Sequence, residues 1–365
     1  MHQLLEGIRV IEVASWGFVP SAGAVLAEWG AEVSKVEHPK GGDPARGLAI
    51  GGLVDDDPAE HVNLIMAIGN RGKRSIALDI GTPDGHELLM QLVESADVFL
   101  TNWLPGPRQR QKVDVEDIQA RNPRIIYARG SGLGPAGPEA SKGGFDSVSY
   151  TARGGVAYAM SYEKGAHPIP QPAAFGDLQA GMHLASGTVA ALFRRERFDE
   201  PSVVDVSLLG SAMWAMSADI VTSDLFGVDR VPVTSPSEPR NPLVNLYRTK
   251  DDRYVQLVFL QPERYWAEFC RQMGLAHLEH DPRFATFESQ ARNSVELTKL
   301  MIETFAALDL DEVRARLADI DGVWGIVQSP LEVLDDPQAI ANGYLAETRS
   351  PTDRLYHLVP SPVQF

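Results

Sequence analysis

Short apolar, β-branched runs alternate with stretches of helical composition over roughly the first 210 residues. Arg9–Ala14 reads as a strand, and Pro20–Trp29 as an alanine-rich helix stopped by Gly30. Glu32–Val36 and Ser75–Ile80 read as further strands, and Asp84–Ser95 as a helix capped by Thr82. Val98–Leu100 and Ile125–Ala128 extend the sheet, and Leu178–Arg195 is a long helix with Asp177 placed to open it. Strands spaced by helices predict right-handed βαβ units and a parallel sheet.

The texture changes after about Asp224. Val231–Pro242 holds four prolines and no helical period, so it reads as a linker. Leu246–Leu260 alternates around Asp251 and Asp252, the pattern of a hairpin with an acidic turn. Helical stretches follow at Glu263–Met273, Ser294–Leu308 and Leu310–Leu317, and strand-like, proline-containing segments return from Gly322. The expected organisation is an α/β fold with an open, Rossmann-like parallel sheet. The large domain's main part covers 1–224, a smaller inserted α+β domain covers 225–325, and 326–365 returns to the large domain.

Composition narrows the function. The 365 residues carry a formal net charge of −16, which disfavours nucleic acid and anionic membranes as partners. Cys270 is the single cysteine, so intramolecular disulfides and cysteine-rich zinc sites are excluded. No apolar run approaches the ~20 residues of a membrane span. Glu6 sits early, with no basic region ahead of an apolar stretch, so no signal peptide is expected and a cytoplasmic location fits. The turn after the first strand, Ala14-Ser15-Trp16-Gly17-Phe18, has one glycine and two large aromatics. It fails the close-spaced glycine fingerprint of an NAD site.

Seven landmarks in fixed order span nearly the whole chain. They are Leu5–Val10 with Pro20 and Gly30–Val33; Asn70–Ile76 with Leu78 and Asp79; and Ala96–Val98 with Asn102, Trp103, Pro105 and Gly106. Then come Asn122–Tyr127; Gly144–Asp146; Gly176 and Asp177 with Gly181–His183; and Leu331–Val333 with Asp336 and Pro337. The ordered set resembles the class III CoA-transferases, a group that includes formyl-CoA transferase and carnitine CoA-transferase and is related to α-methylacyl-CoA racemases. The resemblance implies a large domain built from both chain ends, an inserted small domain, and two chains interlocked as a homodimer. It also implies coenzyme A and acyl-CoA as substrates, a carboxylic acid as partner substrate, and no metal or NAD.

By that resemblance Asp177 is the covalent nucleophile, passing through an aspartyl anhydride and an aspartyl-CoA thioester. On residue type alone it reads as an N-cap, and the two readings coexist, since free helix N–H groups would hold the carboxylate ionised. Gly176 permits close approach of a ligand. Asp146 supports Asp177 or caps a helix of its own. Trp16, His38, Arg71, Lys73, Arg74, Asn102, Trp103 and Arg110 are the expected CoA contacts. His38 stands where formyl-CoA transferase has arginine. The cationic residues are otherwise solvated surface charge, and Trp103 otherwise fills core. Racemases of the group need a histidine at the position of Phe145, which carries no proton. His183 lies six residues along the helix from Asp177, ~9 Å of rise, and reads as structural. Trp16 and Phe18 suggest a bulky or apolar acyl group, or packing at a dimer seam. The stretch 234–242 has no glycine where formyl-CoA transferase has a glycine-rich mobile loop, so gating of that kind is not expected. Family members usually continue past the position of Phe365 through one more helix.

Overall fold

A computed structural model describes residues 3–54, 61–161, 166–232, 235–350 and 352–365; Thr234 of the expected linker lies outside them. The chain forms two compact units, 1–231 with 340–365, and 232–339.

The first unit is built on six parallel strands: β1 (Arg9–Val13), β2 (Glu32–Glu37), β3 (Arg74–Ala77), β4 (Val98–Thr101), β5 (Ile126–Ser131) and β6 (Val203–Ser207). Their order is β3-β2-β1-β4-β5-β6, and every neighbouring pair is parallel. The order reverses between β1 and β4, and in such sheets ligands bind outside the carboxyl ends at that switch point. Both faces are covered, so β4 and the apolar stretches of β1 and β5 do not alternate between apolar and polar. On one face Val10, Val98, Leu100 and Ile126 pack with α1 (Phe18–Glu28) and α7 (Phe175–Phe198). On the other, Ile11, Phe99 and Tyr127 pack with α3 (Pro83–Glu94) and α5 (Val115–Arg121). Shorter helices α2 (Leu64–Asn70), α4 (Pro105–Arg110) and α6 (Val156–Ala159) sit in the connections, and α8 (Leu208–Ala215) and α9 (Ser217–Phe226) follow β6.

Several boundaries differ from expectation for local reasons. α1 begins at Phe18 rather than Pro20, with Pro20 inside its first turn, where the missing N–H costs nothing. Thr82 does cap α3, its Oγ1 accepting the Gly85 N–H. α7 begins at Phe175, three residues before Leu178, because Ala174 adopts a left-handed φ of 55° and itself starts the helix. Asp177 is therefore not the N-cap but the third helical residue. The strand β6 has no counterpart in the sequence reading. In the same unit, β10 (Ala346–Arg349) and β11 (Leu355–Leu358) form an antiparallel hairpin, and the Trp29 indole N–H donates to Ser361 Oγ.

The second unit is a small α+β fold. Strands β7 (Val244–Arg248) and β8 (Tyr254–Val258) pair as a hairpin, with Asp252 at a left-handed φ of 62° in the turn. β9 (Trp324–Ile326) adds to β8. Helices α10 (Pro262–Met273), α11 (Phe287–Arg292), α12 (Ser294–Ala306) and α13 (Leu310–Leu317) accompany the sheet. Its core includes Tyr247, Phe259, Phe269, Met301 and Phe305, all fully buried. This unit runs to Ala339, beyond residue 325 where the sequence reading ended it.

Candidate active site

Two loops meet at the switch point, one after β1 and one after β4. Asn102, just past β4, clips the first loop in both directions. Its Oδ1 accepts the Ser15 N–H at 3.1 Å, and its Nδ2 donates to the Ser15 carbonyl at 2.6 Å. Trp16 then takes a left-handed φ of 71°, a strained conformation for a bulky residue. That turn is held because the Trp16 N–H donates to Asp43 Oδ1 at 3.1 Å. Two residues earlier, Lys35 Nζ donates to the Ala14 carbonyl at 2.8 Å.

The holding charges form a buried network. Lys35 Nζ lies 3.0 Å from Glu12 Oε1 and 2.9 Å from Asp43 Oδ2. Lys73 Nζ lies 2.6 Å from Glu12 Oε2. The Glu12 and Asp43 side chains have no exposed surface, and the two lysine side chains almost none. Burial pushes the Lys35 ammonium down, but Glu12 and Asp43 outweigh it and its pKa is raised. Burial dominates at Lys73 and lowers it to about 8, against the pull of Glu12. Two carboxylates and two ammonium groups balance, the condition under which buried charge is tolerated.

Asp177 approaches this loop from α7. A β-carbon on Gly17 would stand 2.4 Å from Asp177 Oδ2, so only glycine leaves room for the carboxylate. Gly176 is equally constrained: a side chain there would meet Tyr150 Cγ at 2.3 Å and Asp146 Oδ1 at 2.5 Å. The free N–H groups of the first turn are not left to Asp177. Asp146 Oδ2, from the neighbouring connection, accepts the Gly176 N–H at 3.0 Å and the Asp177 N–H at 3.4 Å. Asp146 is itself 6% exposed. Burial, and then the adjacent Asp146 charge, push the Asp177 carboxyl up to about 7. The helix start thus does not hold Asp177 in its ionised form, as the sequence had suggested. Those N–H groups are directed at Asp146, and the two carboxylates repel.

Trp16 stands between two cavities. The first, of 390 Å³, is lined by Ser15, Trp16, Asn102, Trp103, Leu104, Pro107, Arg110 and Gln111. Arg110 is exposed in the last turn of α4 and makes no ion pair with any described residue. The second, of 420 Å³, contains Asp177 and is otherwise walled by Trp16, Leu48, Ile50, Ile65, Phe145 and small residues. The Trp16 and Phe145 rings meet edge to face, centroids 5.4 Å apart.

Of the residues expected to hold CoA, Trp16, Asn102, Trp103 and Arg110 come together here. His38, at the carboxyl end of β2, lies on the same edge of the sheet, its Nε2 3.6 Å from Asp79 Oδ2. Arg71, Lys73 and Arg74 line neither cavity. Arg71 pairs with Glu28 and lines a separate 680 Å³ cavity beside the chain's last residues. Lys73 is committed to Glu12, and Arg74 starts β3 at the opposite sheet edge, 3.5 Å from Glu32. Phe18, expected near the acyl group, is core. His183 is joined to Ser211 through Nδ1, 3.0 Å from its Oγ, and lines neither of the two cavities. Among the described residues no group of three or more His, Cys, Asp or Glu could hold a metal ion, and no helix is long and apolar enough to cross a membrane.

A model of CoA-transferase family III matches residues 5–365. The chain belongs to that family. It is 32% identical over 362 residues to the (R)-2-hydroxy-4-methylpentanoate CoA-transferase of Clostridioides difficile, covering 99% of this chain and 89% of the relative. It is 31% identical to the cinnamoyl-CoA:phenyllactate CoA-transferase of Clostridium sporogenes, covering 99% and 87%. A CAIB/BAIF family protein from Brucella suis has the same fold, with TM-score 0.85 and 26% identity over 100% of this chain and 93% of that one. The family III chain is therefore a CoA-transferase, a transferase acting on CoA thioesters.

Sequence reading missed Glu12, Lys35 and Asp43. A signal was present: Glu12 interrupts the apolar run Val10-Ile11 and Val13 in β1, and Lys35 stands between Val33 and Val36 in β2. It also missed the cavity walls Leu48, Ile50 and Ile65, which belong to none of the landmarks.

Proposed function

We propose that this family III chain exchanges CoA between an acyl-CoA and a carboxylic acid, with Asp177 carrying the groups in turn. The Asp177 carboxylate attacks the thioester carbonyl, the C–S bond breaks, and CoA leaves as thiolate, giving a mixed aspartyl anhydride. The thiolate attacks the aspartyl carbonyl and releases the donor acid as carboxylate. An acceptor carboxylate then attacks the aspartyl-CoA thioester, expelling thiolate and forming a second anhydride. The thiolate attacks the acceptor's carbonyl and restores Asp177. No net proton moves, and each thioester bond broken is matched by one formed.

The observation that carries this reading is a single carboxylate, walled by apolar side chains, at the rim of a cavity at the sheet's switch point. Desolvation of that carboxylate favours attack by its ionised form and keeps water from the anhydride. The nucleotide end of CoA is assigned to the neighbouring 390 Å³ cavity. There Trp103 offers a stacking face and Arg110 a guanidinium, with no ion pair among the described residues, for phosphate. Asn102 acts through Ser15, as a positioning residue. Racemisation has little support, because Asp177 is the only titratable side chain among the described residues lining its cavity.

The test is an exchange reaction in heavy water with one acyl-CoA and a mixture of carboxylic acids. New thioesters without deuterium at the α-carbon are expected. Deuterium entering the α-carbon with no acid present would point to an isomerase, and CoA binding without either change to a non-catalytic binder.

A homodimer of interlocked chains is also proposed. The apolar surface of α8 and α9 supports it, with Trp214, Leu225 and Phe226 each more than 70% exposed. Light scattering should report twice the chain mass; a monomer would contradict it.

A further inference from the structure

The cavity that holds Asp177 carries information about the acid. Its large side chains are Trp16, Leu48, Ile50, Ile65 and Phe145, and the rest of its described lining is alanine, glycine and Asp177. No lysine, arginine or histidine is among them. Phe145 is 59% exposed and Leu48 43%, so sizeable apolar surface stands open beside the nucleophile. The buried cations Lys35 and Lys73, which hold the base of the Trp16 turn, are committed to Glu12 and Asp43.

We infer that this cavity is the acyl pocket, and that it selects monocarboxylic acids with a branched aliphatic or aryl body over dicarboxylic acids. The inference rests on the proposed CoA exchange at Asp177, and it deepens that reading by naming the acid. Three physical arguments converge. A thioester carbonyl placed for attack by Asp177 puts its acyl substituent in the space around that carboxylate, because the 390 Å³ cavity beyond Trp16 is where CoA is assigned. An apolar substituent there covers the exposed Phe145 and Leu48 and is favoured by burial. A second carboxylate would lose its hydration without gaining a cation or a described side-chain hydrogen-bond donor in exchange. It would also face the Asp146 charge and, before Asp177 is acylated, the Asp177 charge. Its 420 Å³ falls within the range of small-molecule sites and has room for an aryl or branched aliphatic group. Trp16 and Phe145, in edge-to-face contact, are then the specificity residues, since they form the wall a ring would stack against.

The experiment is a competition with one acyl-CoA donor and four acceptors: 4-methylpentanoate, 3-phenylpropanoate, succinate and glutarate. The wild-type protein should favour the two monocarboxylates in kcat/KM by roughly a hundredfold or more. Phe145→Ala should cut kcat/KM for 3-phenylpropanoate about tenfold while changing that for propanoate less than about threefold. Ile50→Lys should narrow the gap between succinate and 4-methylpentanoate about tenfold, by supplying the missing cation. Preference for the dicarboxylates in the wild-type protein would overturn the pocket assignment and leave CoA exchange standing. Equal losses for all acids in Phe145→Ala would also overturn it. Absence of transfer to any acid, including acetate and propanoate, would instead remove the CoA-exchange reading, and this inference with it.

Discussion

Asp177→Asn should abolish CoA exchange, by ~10⁴-fold or more, while making the folded protein more stable at pH 8. The two effects share one cause. Burial and the Asp146 charge raise the Asp177 carboxyl from 3.8 to about 7 in the folded chain. The unfolded chain returns it to its ordinary value. Between these pKa values the folded state binds the proton more tightly, so this group's contribution to stability is full below pH ~4 and is lost as pH rises through 7. At pH 8 the ionised carboxylate is a strained element that the neutral, nearly isosteric amide relieves. The gain should be on the order of 2 kcal/mol at pH 8 and near zero at pH 4. Urea unfolding of both proteins at the two pH values measures it. A variant that is no more stable at pH 8 than at pH 4, relative to wild type, would show that Asp177 is well solvated or paired. Exchange by the wild-type protein should fall as pH drops below 7, because the protonated acid is no nucleophile.

The second large effect is structural. Lys35→Met should lower stability by about 3–5 kcal/mol, the cost of leaving one side of a buried ion pair uncompensated. Lys35 reaches Glu12, Asp43 and the Ala14 carbonyl together. Methionine has the length to fill the space but none of the charge. Glu12 would retain Lys73, whereas Asp43 would face an uncharged thioether and keep only the Trp16 and Ala45 N–H groups. The exposed pair Arg74 and Glu32 is the comparison: Arg74→Met should change the stability read from urea unfolding by less than about 0.5 kcal/mol. Equal small effects for both variants would mean that the network under the Trp16 turn is solvated. The lysine substitution should also loosen the turn, since the left-handed Trp16 backbone depends on Asp43 being held in place.

What the sequence made legible follows from how strongly each element is fixed locally. Val10-Ile11 in β1, Val98–Leu100 in β4 and Ile125–Ala128 leading into β5 are short apolar runs that a buried parallel strand accounts for. Gly176-Asp177 before an alanine-rich stretch marked the start of a helix, and the resemblance to class III CoA-transferases added the role of candidate nucleophile. The helix start itself was displaced because Ala174 takes a conformation ordinarily left to glycine, and residue type gives no hint of it. β6 was hidden because Val203–Ser207 contains Asp205 and Ser207 and is only partly buried. The cationic residues at 71–74 were expected either among the CoA contacts or as solvated surface charge. Folding sends them three ways: Arg71 to Glu28, Lys73 inward to Glu12, and Arg74 outward at the start of β3, whose alternation separates neighbours. The cavity walls Leu48, Ile50 and Ile65 carry no pattern of their own. Their meaning comes from standing across a cavity from residue 177, which is a long-range fact.

The most direct measurement is to incubate the protein with an acyl-CoA donor alone, quench with hydroxylamine, and locate the adduct by peptide mass spectrometry. A hydroxamate on Asp177, formed only when donor is present and lost in Asp177→Asn, is the expected result. A wild-type protein that exchanges CoA while Asp177 stays unmodified, or that carries the adduct on another residue, would contradict it.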